Sequence, residues 1–378
     1  MRFLLVVPPL TGHVTPLRAV ATALRADGHE VAWCGPEPTT SELVGSGPVY
    51  PAGDARPFDV DLRPANLRGF AALKYLWETY LIPLAHEMVP GVRAAVDKFA
   101  PHVVVADQQA FAGAVVAAGL GLPWATSAST STELAEPAFP KIDAWITELL
   151  HELCRQNDVP ALDLRFSPHL ILAFTTQELA GPPSPNLTVQ YVGTPMAEPP
   201  KVDFPWDRLD DRPLVVITLG TANAEAGRRF LAEGVAALAS MPEVQGVVAG
   251  HLPHADVVVV ERIPQVELLQ RAAVVVCHGG QNTVSESLHA GVPLVVAPIR
   301  DDQSMLAQQV VTAGAGVRVR FDRAGADDLR EAITSVLTRP QYARNAARIQ
   351  QSYLAAGGAA QAAQLLAQEG QPCNPMSR

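Results

Sequence analysis

Cysteine is scarce in this chain, and no two cysteines lie close together in the sequence. The four of them, Cys34, Cys154, Cys277 and Cys373, form no Cys-x-x-Cys pair. This spacing excludes the common zinc motifs and does not suit the disulfide framework of a small secreted domain. We expect free thiols in a reducing compartment, which favours the cytoplasm.

Long hydrophobic runs are missing as well. No apolar stretch approaches the roughly 20 residues that a membrane-spanning helix needs. The short apolar segment near the start ends at Pro8-Pro9, which leaves it too brief and wrongly flanked for a signal peptide. We therefore expect no membrane span.

Positive charge is in deficit, with 28 Lys and Arg residues against 38 Asp and Glu residues and a formal net charge of -10. A surface that neutralises many phosphates of a nucleic acid needs the opposite balance. The sequence thus argues against a nucleic-acid partner, and any phosphate group is expected to be bound locally.

Apolar residues are abundant, and they occur in short runs. The chain has 378 residues, more than one hydrophobic core usually organises, and 48% of them are hydrophobic. Between Ala- and Leu-rich helical patterns stand the runs FLLVV, VVVAD, LVVIT and VVVCH. Buried strands that alternate with helices predict parallel sheets covered on both faces, so the expected fold class is α/β with two Rossmann-like, doubly wound domains.

The domain boundary is predicted where the composition changes. Residues 196–213 contain several prolines and acidic residues without a sustained period, which is typical of an interdomain linker. Residues 1–195 then form an N-terminal domain and residues 214–354 a second domain. Residues 355–378 are predicted to form a C-terminal helix, able to pack back on the N-terminal domain, and a tail.

The strongest local motif is HGGQNT, residues 278–283, which follows a buried strand and opens a predicted helix. Glycines at a helix N-terminus let backbone N–H groups approach an anion, and the helix dipole favours negative charge there. His278, Asn282 and Thr283 add side-chain donors. The cluster as a whole favours an anion site over the alternative, a tight turn with Thr283 as the helix cap.

This motif is the start of a longer stretch, HGGQNTVSESLHAGVPLVVAPIRDDQ, which ends in an Asp-Gln pair. The stretch resembles the donor signature of the family-one glycosyltransferases, which use nucleotide sugars and have the GT-B fold. The resemblance extends over nearly the whole chain through VVPPLTGHVTPLRAVATALRADGHEV, VITLGT and RIPQVELL. It implies two Rossmann-like domains facing each other across a cleft, and transfer of a sugar to the hydroxyl of a small acceptor.

The resemblance assigns a diphosphate site to the second domain. Its residues would be His278, Gly280, Asn282 and Thr283, together with Thr221 after the strand VVITLG. For Thr221 the alternative is an ordinary helix cap.

The rest of the donor is assigned in the same way. Glu286 would accept hydrogen bonds from ribose hydroxyls, and Asp302 and Gln303 would bind hydroxyls of the sugar. The resemblance implies a UDP- or dTDP-sugar as donor. Many relatives have Trp where this chain has an Arg in the motif RIPQ; a guanidinium can also stack on a base, but this departure leaves the choice of nucleotide open. The residues assigned to the nucleobase are Arg262, Ile263 and Gln265.

The catalytic base is assigned to His13, which follows the first strand in Gly12-His13-Val14. The unperturbed pKa of histidine suits proton abstraction near neutrality, and His13 would deprotonate the acceptor hydroxyl. Asp107, at the end of VVVAD, would stabilise the imidazolium that forms. The reaction implied is a direct displacement with inversion; a structural, hydrogen-bonded His13 is the alternative.

No metal and no cofactor beyond the nucleotide-sugar co-substrate is expected. Asp59-Val60-Asp61 matches the Asp-x-Asp pattern by which other glycosyltransferases bind a metal, but no buried strand precedes it. We interpret the match as coincidence.

Three other functions remain open. A non-catalytic helper that binds nucleotide sugars is opposed by the intact His13 and Glu286, and an epimerase would form product without any acceptor. A nicotinamide-dependent oxidoreductase has a similar fold, but the Gly-x-Gly-x-x-Gly fingerprint is absent after the first strand.

The acceptor itself cannot be deduced from the sequence, nor can the choice between a monomer and a homodimer. Six aromatic residues indicate an apolar pocket for a natural-product aglycone, although core packing explains many of them equally well: Phe70, Tyr75, Trp77, Tyr80, Phe139 and Trp145.

Overall fold

The structure of the chain, a computed structural model, describes residues 1–58, 64, 67, 69–137, 139–196, 202–220, 227–252, 254, 256–299 and 302–370. The chain divides into two compact units. The first unit comprises Met1–Phe174, Pro182–Ala197 and Ala356–Arg378, and the second comprises Thr175–Gly181 and Glu198–Ala355.

The first unit contains a seven-stranded parallel sheet. Its strands are β1 (Arg2–Val6), β2 (Glu30–Glu37), β3 (Val49–Asp54), β4 (Val103–Asp107), β5 (Trp124–Ala128), β6 (Leu170–Ala173) and β7 (Val189–Tyr191). Their order across the sheet is β3-β2-β1-β4-β5-β6-β7, so the direction of winding reverses between β1 and β4. This reversal is the topological switch point at which doubly wound sheets bind ligands.

The helices of this unit, numbered along the whole chain, connect the strands. They are α1 (Thr11–Ala26), α2 (Thr39–Val44), α3 (Gly69–Lys74), α4 (Ile82–Phe99), α5 (Phe111–Leu120), α6 (Pro140–Gln156) and α14 (Gly358–Glu369). A π-helical turn spans Tyr75–Leu81, and short 3-10 turns span Arg56–Phe58 and Ser131–Leu134.

The two faces of the sheet explain why the strands are apolar throughout. Successive side chains of a strand point to opposite faces. Phe3 and Leu5 of β1 pack in a cluster with α1 and with Leu366 of α14, while Leu4 and Val6 pack in a second cluster with α4 and α5. All five of these side chains are fully buried. The last helix of the chain is therefore part of the core of the first unit.

The second unit contains a six-stranded parallel sheet. Its strands are β8 (Leu214–Thr218), β9 (Gln245–Ala249), β10 (Val258–Val260), β11 (Ala272–Cys277), β12 (Leu294–Val296) and β13 (Gly316–Arg318). The order is β10-β9-β8-β11-β12-β13, which places the switch point between β8 and β11.

Seven helices belong to the described part of this unit. They are α7 (Gln177–Ala180), α8 (Arg228–Ala239), α9 (Gln265–Leu269), α10 (Gln281–His289), α11 (Gln303–Thr312), α12 (Ala326–Thr338) and α13 (Pro340–Ala355), with a 3-10 turn at Trp206–Arg208. Phe204, in the segment interpreted as linker, is buried in the core of this unit.

The predicted fold class is confirmed, with differences in detail. The apolar runs of the first half did not predict β3, β6 and β7. β3 contains Pro51 and Gly53, which normally indicate a turn, but it lies at the edge of the sheet, where proline can be accommodated. α1 begins at Thr11 rather than at Val14, because the first turn of a helix need not show apolar periodicity. Among the described residues, no helix is both long and apolar enough to cross a membrane.

Candidate functional site

One cluster of polar side chains lies at the carboxyl edge of the first sheet, where β1 and β4 are neighbours. His13 is in the first turn of α1, and Asp107 is the last residue of β4. Nδ1 of His13 lies 2.8 Å from Oδ1 of Asp107. The Asp107 side chain is fully buried, whereas 15% of the His13 side chain is exposed. The structure thus joins two residues that are 94 positions apart.

The hydrogen bonds of Asp107 determine which nitrogen of His13 carries the proton. A carboxylate only accepts, so Nδ1 of His13 donates to it, and Nε2 is then the basic nitrogen of the ring. Oδ1 of Asp107 also accepts from the backbone N–H of Gln109 at 3.0 Å. A histidine in this state can take up a proton at Nε2 while the carboxylate stabilises the resulting positive charge.

Ser129 completes what we call the imidazole cluster, defined as His13, Asp107 and Ser129. It is the first residue after β5, the strand that pairs with β4. Its Oγ lies 2.7 Å from Oδ2 of Asp107 and 2.7 Å from Nδ1 of His13. Sequence analysis missed it, because the surrounding segment SASTST is rich in hydroxyl residues and no pattern distinguishes one of them. Only its place directly after a strand end could have indicated it.

A second cluster lies at the start of α10 in the second unit. Gly279 has φ of +85°, a conformation that favours glycine. Gly280 is the N-cap, and as a glycine it has no side chain that could cap the first turn. Asn282 is half-buried and Thr283, the third residue of the helix, is buried. Thr283 is therefore not the cap, and the backbone N–H groups of the first turn provide the positive end of the helix dipole, which suits an anion.

The imidazole of His278 lies in a slot between two glycines. His278 is 9% exposed. A β-carbon on Gly280 would lie 2.8 Å from its Cε1, and a β-carbon on Gly220, which follows β8, would lie 3.0 Å from the same atom. The absence of side chains at these two positions is what allows the ring to lie against the start of α10.

Glu286, one turn further along α10, is paired with a residue of helix α9. Nε2 of Gln265, the first residue of α9, donates to Oε2 of Glu286 at 2.6 Å. Burial raises the pKa of the Glu286 carboxyl above its usual value, and the hydrogen bond from Gln265 offsets part of this effect. The structure thus brings together the residues predicted to bind ribose and nucleobase.

Asp302 and Gln303 lie at the beginning of α11, after β12. Oε1 of Gln303 accepts a hydrogen bond from the backbone N–H of Ile299 at 2.9 Å, which ties the preceding loop to the helix. A β-carbon on Gly279 would lie 3.2 Å from the backbone oxygen of Gln303. The starts of α10 and α11 are therefore neighbours, and the predicted diphosphate and sugar residues lie close together.

The remaining predicted residues differ in their surroundings. Arg262 is exposed, and Ile263 packs against the core of the second unit. Thr221, Asp59 and Asp61 lie outside the described residues.

The described cysteines are buried, and the described acidic residues form no metal-binding cluster. Cys34, Cys154 and Cys277 are buried free thiols. Burial raises the pKa of both the Cys34 and the Cys277 thiol to about 12, so neither is a nucleophile near neutral pH. Within the described ranges, no three His, Cys, Asp or Glu side chains are grouped so that they could hold a metal ion.

Comparison with known proteins connects this geometry to a family. Residues 230–368 match the family model described as the C-terminal domain of erythromycin biosynthesis protein CIII-like proteins. The whole chain is similar to 4'-demethylrebeccamycin synthase of Lentzea aerocolonigenes, with 28% identity covering 97% of this chain and 98% of that protein. The chain is thus similar over nearly its whole length to family-one natural-product glycosyltransferases.

Solved structures of glycosyltransferases show that this chain has the GT-B fold. The glycosyltransferase of kitacinnamycin superposes with a TM-score of 0.81 at 23% identity, over 97% of this chain and 98% of that one. The spinosyn rhamnosyltransferase SpnG complexed with thymidine diphosphate superposes with a TM-score of 0.74 at 23% identity, over 97% of this chain and 100% of that one. In the chain described here, the imidazole cluster and the start of α10 each occupy the switch point of one sheet.

Proposed function

We propose that this glycosyltransferase moves a sugar from a UDP- or dTDP-sugar to a hydroxyl of a small, largely apolar natural-product aglycone. The anomeric carbon is inverted, and no metal or other cofactor takes part. The names of similar proteins support this donor and acceptor class, since they include a rebeccamycin synthase and a spinosyn rhamnosyltransferase complexed with thymidine diphosphate.

The observation that carries the proposal is the hydrogen bond of 2.8 Å between Nδ1 of His13 and Asp107. It leaves Nε2 of His13 as the proton acceptor. In the transfer, the acceptor oxygen bonds to the anomeric carbon as its proton passes to Nε2. The bond between that carbon and the diphosphate oxygen breaks, and the diphosphate leaves with the electron pair.

The leaving diphosphate is assigned to the start of α10. His278, Asn282 and Thr283 would donate to its oxygens, as would the backbone at Gly280, and Thr221 belongs to the same assignment. Fixed N–H groups that face a developing negative charge can replace the metal that other glycosyltransferases use. This set of hydrogen-bond donors therefore supports departure of the diphosphate without a metal.

The other parts of the donor have their own residues. Glu286 would accept from ribose hydroxyls, a role that its buried carboxyl supports because a hydrogen-bonded diol compensates its lost hydration. Gln265 and Ile263 would contact the nucleobase, on which Arg262 would stack. Asp302 and Gln303 would bind the sugar, although Oε1 of Gln303 already accepts a hydrogen bond from the backbone.

An apolar acceptor is supported by exposed aromatic side chains of the first unit. Phe70 is 54% exposed and Phe139 is 69% exposed. Phe70 packs edge to face against Trp145 with ring centroids 5.5 Å apart. Trp77 and Tyr80, in contrast, are buried in the core, where packing accounts for them. The protein is proposed to act in the cytoplasm as a monomer or a homodimer.

A two-step screen tests the proposed function. UDP and dTDP are expected to raise the melting temperature by preferential binding to the folded protein, whereas NAD is expected to have no effect. The corresponding sugar nucleotides are then incubated with a panel of polyphenol, macrolide and polyketide alcohols, and products are detected by mass spectrometry. Stabilisation by NAD and by neither diphosphate would overturn the proposal, and product without any acceptor would reveal an epimerase.

A further inference from the structure

We propose that Ser129 is a positioning residue for the catalytic base. Its hydroxyl holds the Asp107 carboxylate and the His13 imidazole in the arrangement that keeps Nε2 of His13 basic. This inference rests on the proposed function, because it takes His13 as the group that deprotonates the acceptor.

The geometry of the Ser129 hydroxyl allows only one consistent pattern of donors and acceptors. Oγ lies 2.7 Å from Oδ2 of Asp107, and since the carboxylate only accepts, the hydroxyl proton points to Asp107. Oγ also lies 2.7 Å from Nδ1 of His13, so it accepts there. The Nδ1–H of His13 is thus shared between Ser129 and Oδ1 of Asp107, which is 2.8 Å away.

This pattern gives both carboxylate oxygens of Asp107 a donor. Oδ1 accepts from His13 and from the backbone N–H of Gln109, and Oδ2 accepts from Ser129. Asp107 is 1% exposed and Ser129 is 6% exposed. A buried carboxylate depends on such bonds, because water cannot replace them readily. Ser129 therefore fixes the orientation of the carboxylate as well as that of the ring.

Ser129 is itself held in place by a buried amide. Oε1 of Gln108, the residue after Asp107, accepts from the backbone N–H of Thr130 at 3.0 Å. The backbone N–H of Gln108 in turn donates to the oxygen of Ser127 at 3.1 Å. The loops that follow β4 and β5 are therefore tied together on both sides of Ser129, which is how a loop residue can hold a defined position.

A nucleophilic role for Ser129 does not fit the same geometry. In hydrolases with a Ser-His-Asp triad, the serine and the aspartate lie at opposite nitrogens of the imidazole. Here both lie at Nδ1 of His13. His13 cannot withdraw the hydroxyl proton of Ser129 through a nitrogen that already carries a proton, so Ser129 supports the base and does not attack.

The kinetic test compares three variants with the wild-type enzyme. Ser129→Ala removes the hydroxyl and Ser129→Thr keeps it. Ser127→Ala is the matched control, since it removes a neighbouring buried hydroxyl that has no hydrogen-bond partner among the described residues. The donors are UDP-glucose and dTDP-glucose, and the acceptors are benzyl alcohol, which holds its proton tightly, and 4-nitrophenol, which releases it readily.

We expect Ser129→Ala to lower kcat with benzyl alcohol about tenfold to a hundredfold, the effect of one hydrogen bond to a charged group, with KM for the donor unchanged. The loss is expected to be smaller with 4-nitrophenol, which needs less help from a base. Ser129→Thr is expected to restore turnover, and Ser127→Ala to match the wild type. An equal loss with both acceptors, or a loss that Ser129→Thr does not restore, would show a merely structural role and overturn the inference.

A second measurement needs no substrate. In protein labelled with ¹⁵N-histidine, the nitrogen resonances of His13, assigned by their absence in His13→Ala, report which nitrogen is protonated. We expect the Nδ1–H form in the wild type, with faster exchange of this proton with water in Ser129→Ala and unchanged exchange in Ser127→Ala. A wild-type ring protonated at Nε2 would overturn the inference.

The failure of this inference can be distinguished from failure of the proposed function. If His13→Ala keeps wild-type turnover, the assignment of the base is wrong and the proposed function must be revised. If His13→Ala abolishes turnover while Ser129→Ala behaves as wild type in both measurements, only the role of Ser129 is wrong.

Discussion

The two sheets of this enzyme have the same strand order around their switch points. The site at one of these points is formed mainly by side chains, and the site at the other mainly by backbone groups. In the first sheet, β1 and β4 are neighbours and the site consists of side chains that bond to one another. In the second sheet, β8 and β11 are neighbours, and the site consists of a helix N-terminus with the imidazole of His278 beside it. Two glycines leave the space that this ring needs. Equivalent positions of the same topology can thus hold a proton acceptor in one sheet and a set of hydrogen-bond donors in the other.

The difference follows from what each site must bind under the proposed function. A proton acceptor has to be oriented before the substrate arrives, so the imidazole cluster satisfies its own charges internally. A diphosphate brings its own negative charge, so its site needs donors and space. Changes in the first site should therefore act on turnover, and changes in the second on donor affinity.

The largest effect is expected at His13. Replacement of His13 by Ala should lower turnover with an alcohol acceptor about 100- to 10,000-fold, the range that a general base supplies, because the imidazole is lost and the Asp107 side chain that remains is fully buried. Asp107→Asn should lower turnover less, since the base remains. Steady-state kinetics measure both losses. Donor affinity, measured by calorimetry with the diphosphate, should stay near that of the wild type, and a parallel loss of affinity would break the separation between the two sites.

A glycine exchange in each unit sharpens the comparison. A β-carbon on Gly280 would lie 2.8 Å from Cε1 of His278, while one on Gly12 would meet nothing within 4 Å apart from its chain neighbours and the backbone of its own helix. Gly280→Ala should weaken diphosphate binding by about 1 to 3 kcal/mol through displacement of the ring, as overpacking does in a core. Gly12→Ala is the control and should bind as the wild type does. Equal dissociation constants for both variants, by calorimetry, would show that the slot is not part of the donor site.

Glu286 permits two tests, one of donor binding and one of stability. Glu286→Gln should weaken nucleotide binding by about 1 to 3 kcal/mol if the carboxylate carries ribose hydrogen bonds. The hydrogen bond from Gln265 can survive, because an amide oxygen also accepts. An unchanged dissociation constant would mean that Glu286 does not contact the donor.

The stability of the ligand-free Glu286→Gln variant has a predictable pH dependence. Burial raises the pKa of Glu286, so the folded protein holds this proton more tightly than the unfolded chain does. The stability that this provides is fully present below the ordinary pKa of a glutamate and is lost as the pH rises through the raised pKa. The melting temperature of the variant relative to the wild type should therefore rise across that window, and a constant difference from pH to pH would contradict the prediction.

The smallest expected effect is that of chelation, which should leave turnover unchanged. Helix-end N–H groups and His278 are proposed to stabilise the leaving diphosphate in place of a metal. Assays with EDTA, followed by addition of magnesium or manganese, measure this directly. Loss of activity that either metal restores would overturn the expectation and return attention to Asp59 and Asp61.

Much of the fold and part of the site could be predicted from the sequence. The apolar runs that became β1, β4, β8 and β11 are long enough, and the patterns between them regular enough, to predict an α/β protein. The motif from His278 to Thr283 predicted the strand end and the start of α10 because glycines there have a local geometric reason.

What could not be predicted depends on contacts between distant segments. Ser129 lies 116 residues from His13 in the sequence, and nothing local shows that its hydroxyl points to that ring. The pairing of Gln265 with Glu286 likewise joins two helices, α9 and α10, whose roles were assigned separately. Gln303 was assigned only to the sugar, although its amide oxygen binds the backbone of Ile299. Hydrogen bonds of this kind follow from the packing of strands and loops, which residue patterns do not encode.

The C-terminal helix α14 gives the chain an unusual order of completion. It packs on the face of the first sheet that carries α1, and the backbone N–H of Gly358 donates to the oxygen of Val192 at 2.8 Å. During synthesis on the ribosome, every residue of the second unit emerges before α14 does. The core of the first unit can therefore close only after the second unit has been synthesised. The helix that bears His13 gains its final support only when translation of α14 is complete.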